Sequence, residues 1–277
     1  MSDSWIIPDW PAPPGVRALS TQRTGGCSRG PYRSFNLGAH CGDDPASVQR
    51  NRRRLREALP AEPRWLRQVH GTDVWTDRDD ERQVRDNASI APASTGGLPV
   101  DPGPFPAADA RVTGRAGVVC AVLTADCLPV LLCSQAGDEV AAAHAGWRGL
   151  SAGVLERTVA AMRSDPGSLM AWLGPAIGPA RYEVGRDVVR AFAAHESGGA
   201  GAILASGDRW RLDLYTMARH CLRRAGVTAV SGGEWCTFDQ PERFFSYRRD
   251  GVCGRMASLV WLEAPDQSRE VPLSARV

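Results

Sequence analysis

Residues 117–150 read GVVCAVLTADCLPVLLCSQAGDEVAAAHAGWRGL. The stretch holds three short apolar runs, Val118 to Leu123, Leu128 to Leu132 and Val140 to Ala143. Each is long enough for a buried strand and too short for a typical helix. Each then stops at polar residues. The first ends in Thr124-Ala125-Asp126-Cys127 and the third in His144-Ala145-Gly146-Trp147-Arg148-Gly149. A Cys, an Asp, a His and an Arg are therefore left at strand ends, where α/β proteins hold reactive side chains on exposed turns.

An antiparallel return between Cys127 and His144 would bring thiol and imidazole together. Such a pair is a zinc or copper pair, or a nucleophile with its base. A Cys between apolar strands is also simply a small buried hydrophobe. A further ligand would favour the metal. Among five His, at 40, 70, 144, 195 and 220, His70 also sits at a break, after Trp65 to Val69. Three protein ligands are what a zinc site with one open position needs.

The segments RQVHGTDV (67–74), LTADCLPVLL (123–132), AAAHAGWRGL (141–150), AWLGPAIGP (171–179) and FFSYRRDG (244–251) occur in this order. Together they resemble the laccase-domain family, whose members carry names such as polyphenol oxidase, purine nucleoside phosphorylase and YfiH-type peptidoglycan editing factor. The resemblance runs from about Ile6 to Trp261. It implies that His70, Cys127 and His144 bind a metal, usually zinc, and that Arg23 and Asn36 touch substrate. It implies a single domain over 1–277, a layered α/β/α sandwich with a mixed sheet. The implied activity is phosphorolysis of purine nucleosides such as adenosine, inosine and 5′-methylthioadenosine, with deamination of adenosine at the same site. Copper-dependent oxidation of polyphenols is the older family label. Where family members carry a threonine before the glycine matching Gly254, this chain has Cys253.

Bulk properties are those of an ordinary globular protein. At 277 residues the length allows one or two domains. The 33 basic and 31 acidic residues leave a net charge of +2, too near balance for a nucleic-acid partner. No apolar run is long enough to cross a membrane, and MSDSWIIPDWPAPPG lacks the basic start and apolar core of a signal peptide. A cytoplasmic monomer or weak homodimer is expected, with eight reduced cysteines and no CxxC pair.

Outside the central stretch, Val16 to Thr21 reads as a strand, and Arg23 lies where Gly25-Gly26 opens the backbone. Asp43-Asp44-Pro45 starts a helix over Ala46 to Leu59. Trp65 to Val69 is expected as the strand that delivers His70. Asp77 to Ala107 starts charged, ends in STGGLPVDPGPFP and shows no period, so it reads as a Gly/Pro-rich loop inserted into the fold. A helix is expected over Ser151 to Arg163, so Arg148 could hold a phosphate near its first turn or brace the loop through carbonyls. Further helices are expected over Asp187 to His195 and Leu212 to Arg224, with His195 and His220 as core residues. Strands are expected at Met170 to Leu173, at Arg243 to Asp250 and at Met256 to Trp261, with a frayed tail after about 266.

The chemistry narrows the activity. A multicopper laccase needs many more His ligands than the five present. One Cys-His-His metal with an open position suits hydrolytic chemistry, as in zinc deaminases. No HxE motif supplies the general acid, which leaves Asp126 as the candidate. Phosphorolysis would need an arginine for phosphate, either Arg23 or Arg148. Two rivals remain: a metal-free Cys127–His144 hydrolase acting on peptidoglycan precursors, and a binding module with a closed structural zinc.

Overall fold

The hairpin expected from the central stretch forms. The structure, a computed structural model, describes residues 5–88, 105–193 and 201–264. In chain order the first elements are β1 (Val16–Ser20), α1 (Pro45–Arg56), β2 (Val74–Trp75), α2 (Asp77–Ala88) and β3 (Ala110–Thr113). The centre holds β4 (Cys120–Thr124), β5 (Leu128–Ser134), β6 (Val140–Ala145), α3 (Trp147–Ala152), α4 (Val154–Ala161) and β7 (Leu169–Leu173). There follow β8 (Glu183–Val184), α5 (Arg186–Ala191), β9 (Ile203–Ser206) and β10 (Arg209–Leu212). The last are α6 (Leu214–Arg224), β11 (Ala229–Gly232), α7 (Tyr247–Asp250) and β12 (Met256–Leu262).

The main sheet has the order β11-β7-β5-β6-β3-β2, with parallel pairs at both edges and antiparallel pairs between them. It is the mixed sheet expected. A second sheet, β1-β12-β4, is antiparallel, and β8-β10-β9 forms a small third one. Alternation along the strands assigns the layers. Leu128, Val130 and Leu132 of β5 pack with Val154 and Leu155 of α4 and with Leu214, Met217 and Ala218 of α6. Leu131 and Cys133 point the other way, against Cys120 and Val122 of β4 and Val260 of β12. The outer face of that second sheet, Ala121, Leu123, Leu259 and Trp261, is covered by Leu55 of α1 together with Phe35, Leu37 and Trp65. The sandwich between helices therefore contains two stacked sheets, and because each apolar core is shared between adjacent layers the chain is one domain. Strands buried on both faces read as unbroken apolar runs, which is why 117–150 looked as it did.

Four local expectations are corrected. Trp65 to Val69 is extended but makes only isolated bridges, Arg64 with Cys120 and Arg67 with Ala107. The beginning of the presumed loop is α2, a helix without an apolar stripe. Its start is fixed by Thr76 and Asp79, with Asp79 Oδ2 accepting from Thr76 N at 2.8 Å, and its first turn carries Asp77, Asp79 and Asp80 against the helix dipole. Polar bonds dock it on β3: Asp80 pairs with the buried Arg111, and Thr113 Oγ1 donates to Asp77 at 2.8 Å. The helix expected over Ser151 to Arg163 begins earlier, at Trp147, and is broken at Gly153, whose φ of 95° ends α3 before α4 starts. Arg243 to Asp250 is no strand, because Arg249 gathers the carbonyls of Thr237, Phe238 and Phe244 and turns the segment into α7, capped by Ser246. Residues 89–104, His195 and the tail after 266 lie outside the described residues. His220 is buried on α6.

Candidate metal centre

The register of the β5–β6 hairpin sets the first two side chains. Leu128 faces Ala145 and Pro129 faces His144, so Cys127, one residue before β5, stands opposite Gly146. Cys127 is reached from β4 through Asp126, a non-glycine residue at φ 87° that turns the chain from one sheet into the other. The turn is held at both carboxylate oxygens: Thr237 Oγ1 donates at 2.6 Å and Arg248 N at 2.6 Å. Asp126 thus positions Cys127.

His70 arrives from outside the hairpin, on a turn where its own φ is 59°. Such a conformation costs roughly 1–3 kcal/mol and persists only when the surroundings impose it. Asp109, fully buried just before β3, imposes it. Its carboxylate accepts from the amides of Val69 (3.1 Å), His70 (3.0 Å) and Gly71 (2.7 Å), and from His144 Nδ1 (2.8 Å). One carboxylate therefore fixes both histidines. It also fixes the tautomer of His144, leaving Nε2 to face Cys127.

The three donors converge. His70, Cys127 and His144 offer ligand atoms that all lie within 4.8 Å of one another. Cys127 Sγ is 3.8 Å from His70 Nε2, and the two imidazoles meet edge to face with centroids 4.8 Å apart. A tetrahedral zinc holds sulfur and nitrogen ligands about 3.5 Å apart, so the donor set fits one ion. Gly146 is required at the closest approach: a Cβ there would lie 2.9 Å from His70 Cδ2 and 3.0 Å from Cys127 Sγ.

Electrostatics point the same way. Burial pushes the Cys127 thiol up, but the charge and hydrogen bond of His144, helped by His70, outweigh it and hold the thiol below its usual value. Burial pulls His144 down, while Cys127 and Asp109 more than compensate and raise it. A thiol held low favours the thiolate, the form in which sulfur binds a metal or attacks as a nucleophile. Asp109, despite burial, is kept ionised by His144 and the turn amides.

The other expected site residues have different surroundings. Asn36 is buried, and its side chain is consumed by Gly38, Asp43 and the amide of Arg255, so it holds the framework. Arg23 donates to the carbonyls of Arg33 (3.0 Å) and Pro241 (2.9 Å) and lies over Phe245, a bracing geometry. Arg148 is the second residue of α3 and is exposed; its guanidinium lies over Trp147 and makes no hydrogen bond or ion pair among the described residues. The residue missed from sequence is Asp109. Its signal was an acid, followed two residues later by Arg111, inside the otherwise apolar segment Ala107 to Val112.

Residues 17–263 match the family model described as multi-copper polyphenol oxidoreductase laccase. The chain belongs to this laccase family. It is 49% identical over 259 residues to the protein named purine nucleoside phosphorylase YfiH of Escherichia coli (strain K12), covering 93% of this chain and 98% of that one. It is 48% identical over 263 residues to purine nucleoside phosphorylase PA4543 of Pseudomonas aeruginosa, covering 94% and 99%. The solved structure of protein NMB0706 from Neisseria meningitidis superposes with a TM-score of 0.82 at 45% identity over 94% of this chain and 99% of that one. YlmD from Geobacillus stearothermophilus gives 0.80 at 32% identity, covering 95% and 98%. Against the multi-copper wording of the family's description, His70, Cys127 and His144 form the one metal-type cluster among the described residues. No helix among those residues is long and apolar enough to cross a membrane.

Proposed function

We propose that this laccase-family chain is a zinc-dependent purine nucleoside phosphorylase acting on adenosine, inosine and 5′-methylthioadenosine, with adenosine deaminase activity at the same site. It would act in the cytoplasm as a monomer or weak homodimer. The reading rests on 48–49% identity, over nearly full length, to relatives that carry the phosphorylase name. The observation that carries its metal is the convergence of His70, Cys127 and His144 on one point.

His70, Cys127 and His144 would hold the ion, a soft thiolate and two imidazoles being a zinc donor set. When bound, zinc supplies Lewis acidity at an open coordination position. Asp109 keeps His144 and the His70 turn in place, and Asp126 keeps Cys127 at the corner between the sheets. Arg148 is the cation offered to phosphate. In phosphorolysis a phosphate oxygen bonds to ribose C1′ as the C1′–N9 bond breaks and its electron pair leaves with the purine. In deamination water adds at C6 of adenine and ammonia leaves.

Metal-quantified protein incubated with adenosine should yield adenine and ribose 1-phosphate only when phosphate is present, and inosine with or without it. No turnover of any of the three nucleosides would overturn the reading. A specific observation also favours a cysteine hydrolase acting on peptidoglycan precursors: Asp109, His144 and Cys127 lie in the order of a nucleophilic triad. His70 argues against it, since a triad has no use for a second imidazole held at positive φ. Alkylation of Cys127, followed on the peptide carrying Leu123 to Cys133, separates the two. A zinc thiolate reacts slowly until a chelator is added, and a free nucleophile reacts quickly either way.

A further inference from the structure

Two arginines flank Cys127, and both are tied to it through the backbone. Arg148 follows Trp147 and Gly146, and Gly146 is the residue pressed between Cys127 Sγ and the His70 ring. Arg248 donates its amide to Asp126, the neighbour of Cys127, at 2.6 Å. Tyr182 packs beneath Arg248. The Arg248 guanidinium lies 5.1 Å over its ring, and the Tyr182 phenol, pushed up by burial, is raised further by Cys127 and Asp126 and lowered by Arg248 and Arg148. Both arginines therefore border Cys127, Arg248 through the Asp126 carboxylate and Arg148 through the Gly146 turn.

Most arginines whose side chains are described are already spent on protein partners. Arg17, Arg111, Arg115, Arg181, Arg209 and Arg249 pair with carboxylates. Arg148 and Arg248 pair with none among the described residues, and both are exposed. Arg248 uses Nη1 on the Glu183 carbonyl at 2.7 Å, which fixes its side chain and leaves Nε and Nη2 to an incoming anion. A guanidinium without a carboxylate partner is open to a charge-assisted bond with an incoming anion.

We infer that Arg148 and Arg248, with Tyr182 packed under Arg248, form the subsite for the inorganic phosphate consumed in phosphorolysis. The inference rests on the phosphorylase reading and adds Arg248 and Tyr182 to it. The arginines orient the dihydrogen phosphate ion so that one oxygen bonds to ribose C1′. The C1′–N9 pair departs with the purine, which takes one of the phosphate's two protons, and ribose 1-phosphate is left.

The test uses full-length, metal-quantified protein and inorganic phosphate as the probe. Arg148→Gln and Arg248→Gln should each raise KM for phosphate about tenfold or more and leave KM for the nucleoside within about twofold, as for one lost charge-assisted contact. Tyr182→Phe should give a smaller rise, and Arg248→Lys should recover part of the loss. Phosphate binding followed by phosphorus NMR reports the subsite without turnover. A wild type that binds phosphate, with both Gln variants weakened, supports the subsite even if no nucleoside is split. Variants that lose affinity for adenosine 5′-monophosphate while binding inorganic phosphate normally would assign the arginines to a nucleotide's own phosphoryl group and overturn the inference. Unchanged KM for phosphate in both Gln variants would also overturn it and leave the phosphorylase reading standing. A wild type that turns over nucleoside hydrolytically and binds no phosphate would sink both.

Discussion

Cys127 and His144 reach the site on adjacent ends of one antiparallel hairpin, whereas His70 reaches it on a loop held by a single buried carboxylate. On the hairpin side, position follows from register: Pro129 faces His144, and the backbone ladder does the aligning. On the loop side there is no ladder. Three amides and the His144 ring converge on Asp109, and the His70 backbone sits at a positive φ. A ladder distributes its alignment over many weak bonds, while a hub concentrates it in one residue. The two halves should therefore fail differently.

Asp109→Ala should have the largest effect. It strands three amides and the Nδ1 of a buried histidine, and breaking a buried pair of this kind costs about 3 to 5 kcal/mol. The loop half should be lost first, with metal binding gone even in whatever fraction stays folded. A variant with unchanged Tm and full metal content would show that the hub is dispensable and erase the contrast.

Gly146→Ala strikes the seam between the halves. The backbone there, at φ −66° and ψ 159°, accepts alanine, so only the added methyl matters, pressed against His70 Cδ2 and Cys127 Sγ. Metal affinity should fall about tenfold to a hundredfold, the range seen when ligand orientation is disturbed. Thermal stability should move little. Normal metal affinity would mean that the two halves are further apart in solution than the donor distances require.

Asp126→Ala probes the hairpin side alone. Removing the partner of Thr237 and of the Arg248 amide should cost about 1 to 3 kcal/mol, read as a lower Tm, with the catalytic rate reduced only in proportion to misplaced Cys127. Loss of turnover at unchanged Tm would instead make Asp126 a proton donor. The smallest effect is expected at Arg23, which belongs to neither half. Arg23→Ala should cost about 1 kcal/mol of stability through the carbonyls of Arg33 and Pro241 and leave KM for the nucleoside unchanged. A tenfold loss of kcat/KM at constant stability would return Arg23 to the substrate.

The same contrast explains what the sequence revealed. The hairpin was legible because both its strands are buried on both faces and therefore unbroken, and because its ligands end those strands. His70 was legible as a histidine at a break and through the family's QVHG motif, but not by its delivery, since the strand meant to deliver it is a pair of isolated bridges. Asp109 was missed because most of its partners are backbone amides about forty residues away, which no side-chain pattern encodes. α2 was missed for a related reason. It is held by Asp77 and Asp80 on Thr113 and Arg111, so it has no apolar period to read. Arg148 read ambiguously, and Arg248 not at all, because a guanidinium's use depends on which carboxylates the fold leaves beside it.

The central claim is that one metal ion joins the two halves through His70, Cys127 and His144. It is tested most directly by metal content per chain, measured on full-length protein purified without added metal, alongside His70→Ala, Cys127→Ala and His144→Ala. One zinc per wild-type chain, and none in any of the three variants while all remain folded, is the predicted result. Zinc retained at full stoichiometry by all three variants would place the metal elsewhere and contradict the account.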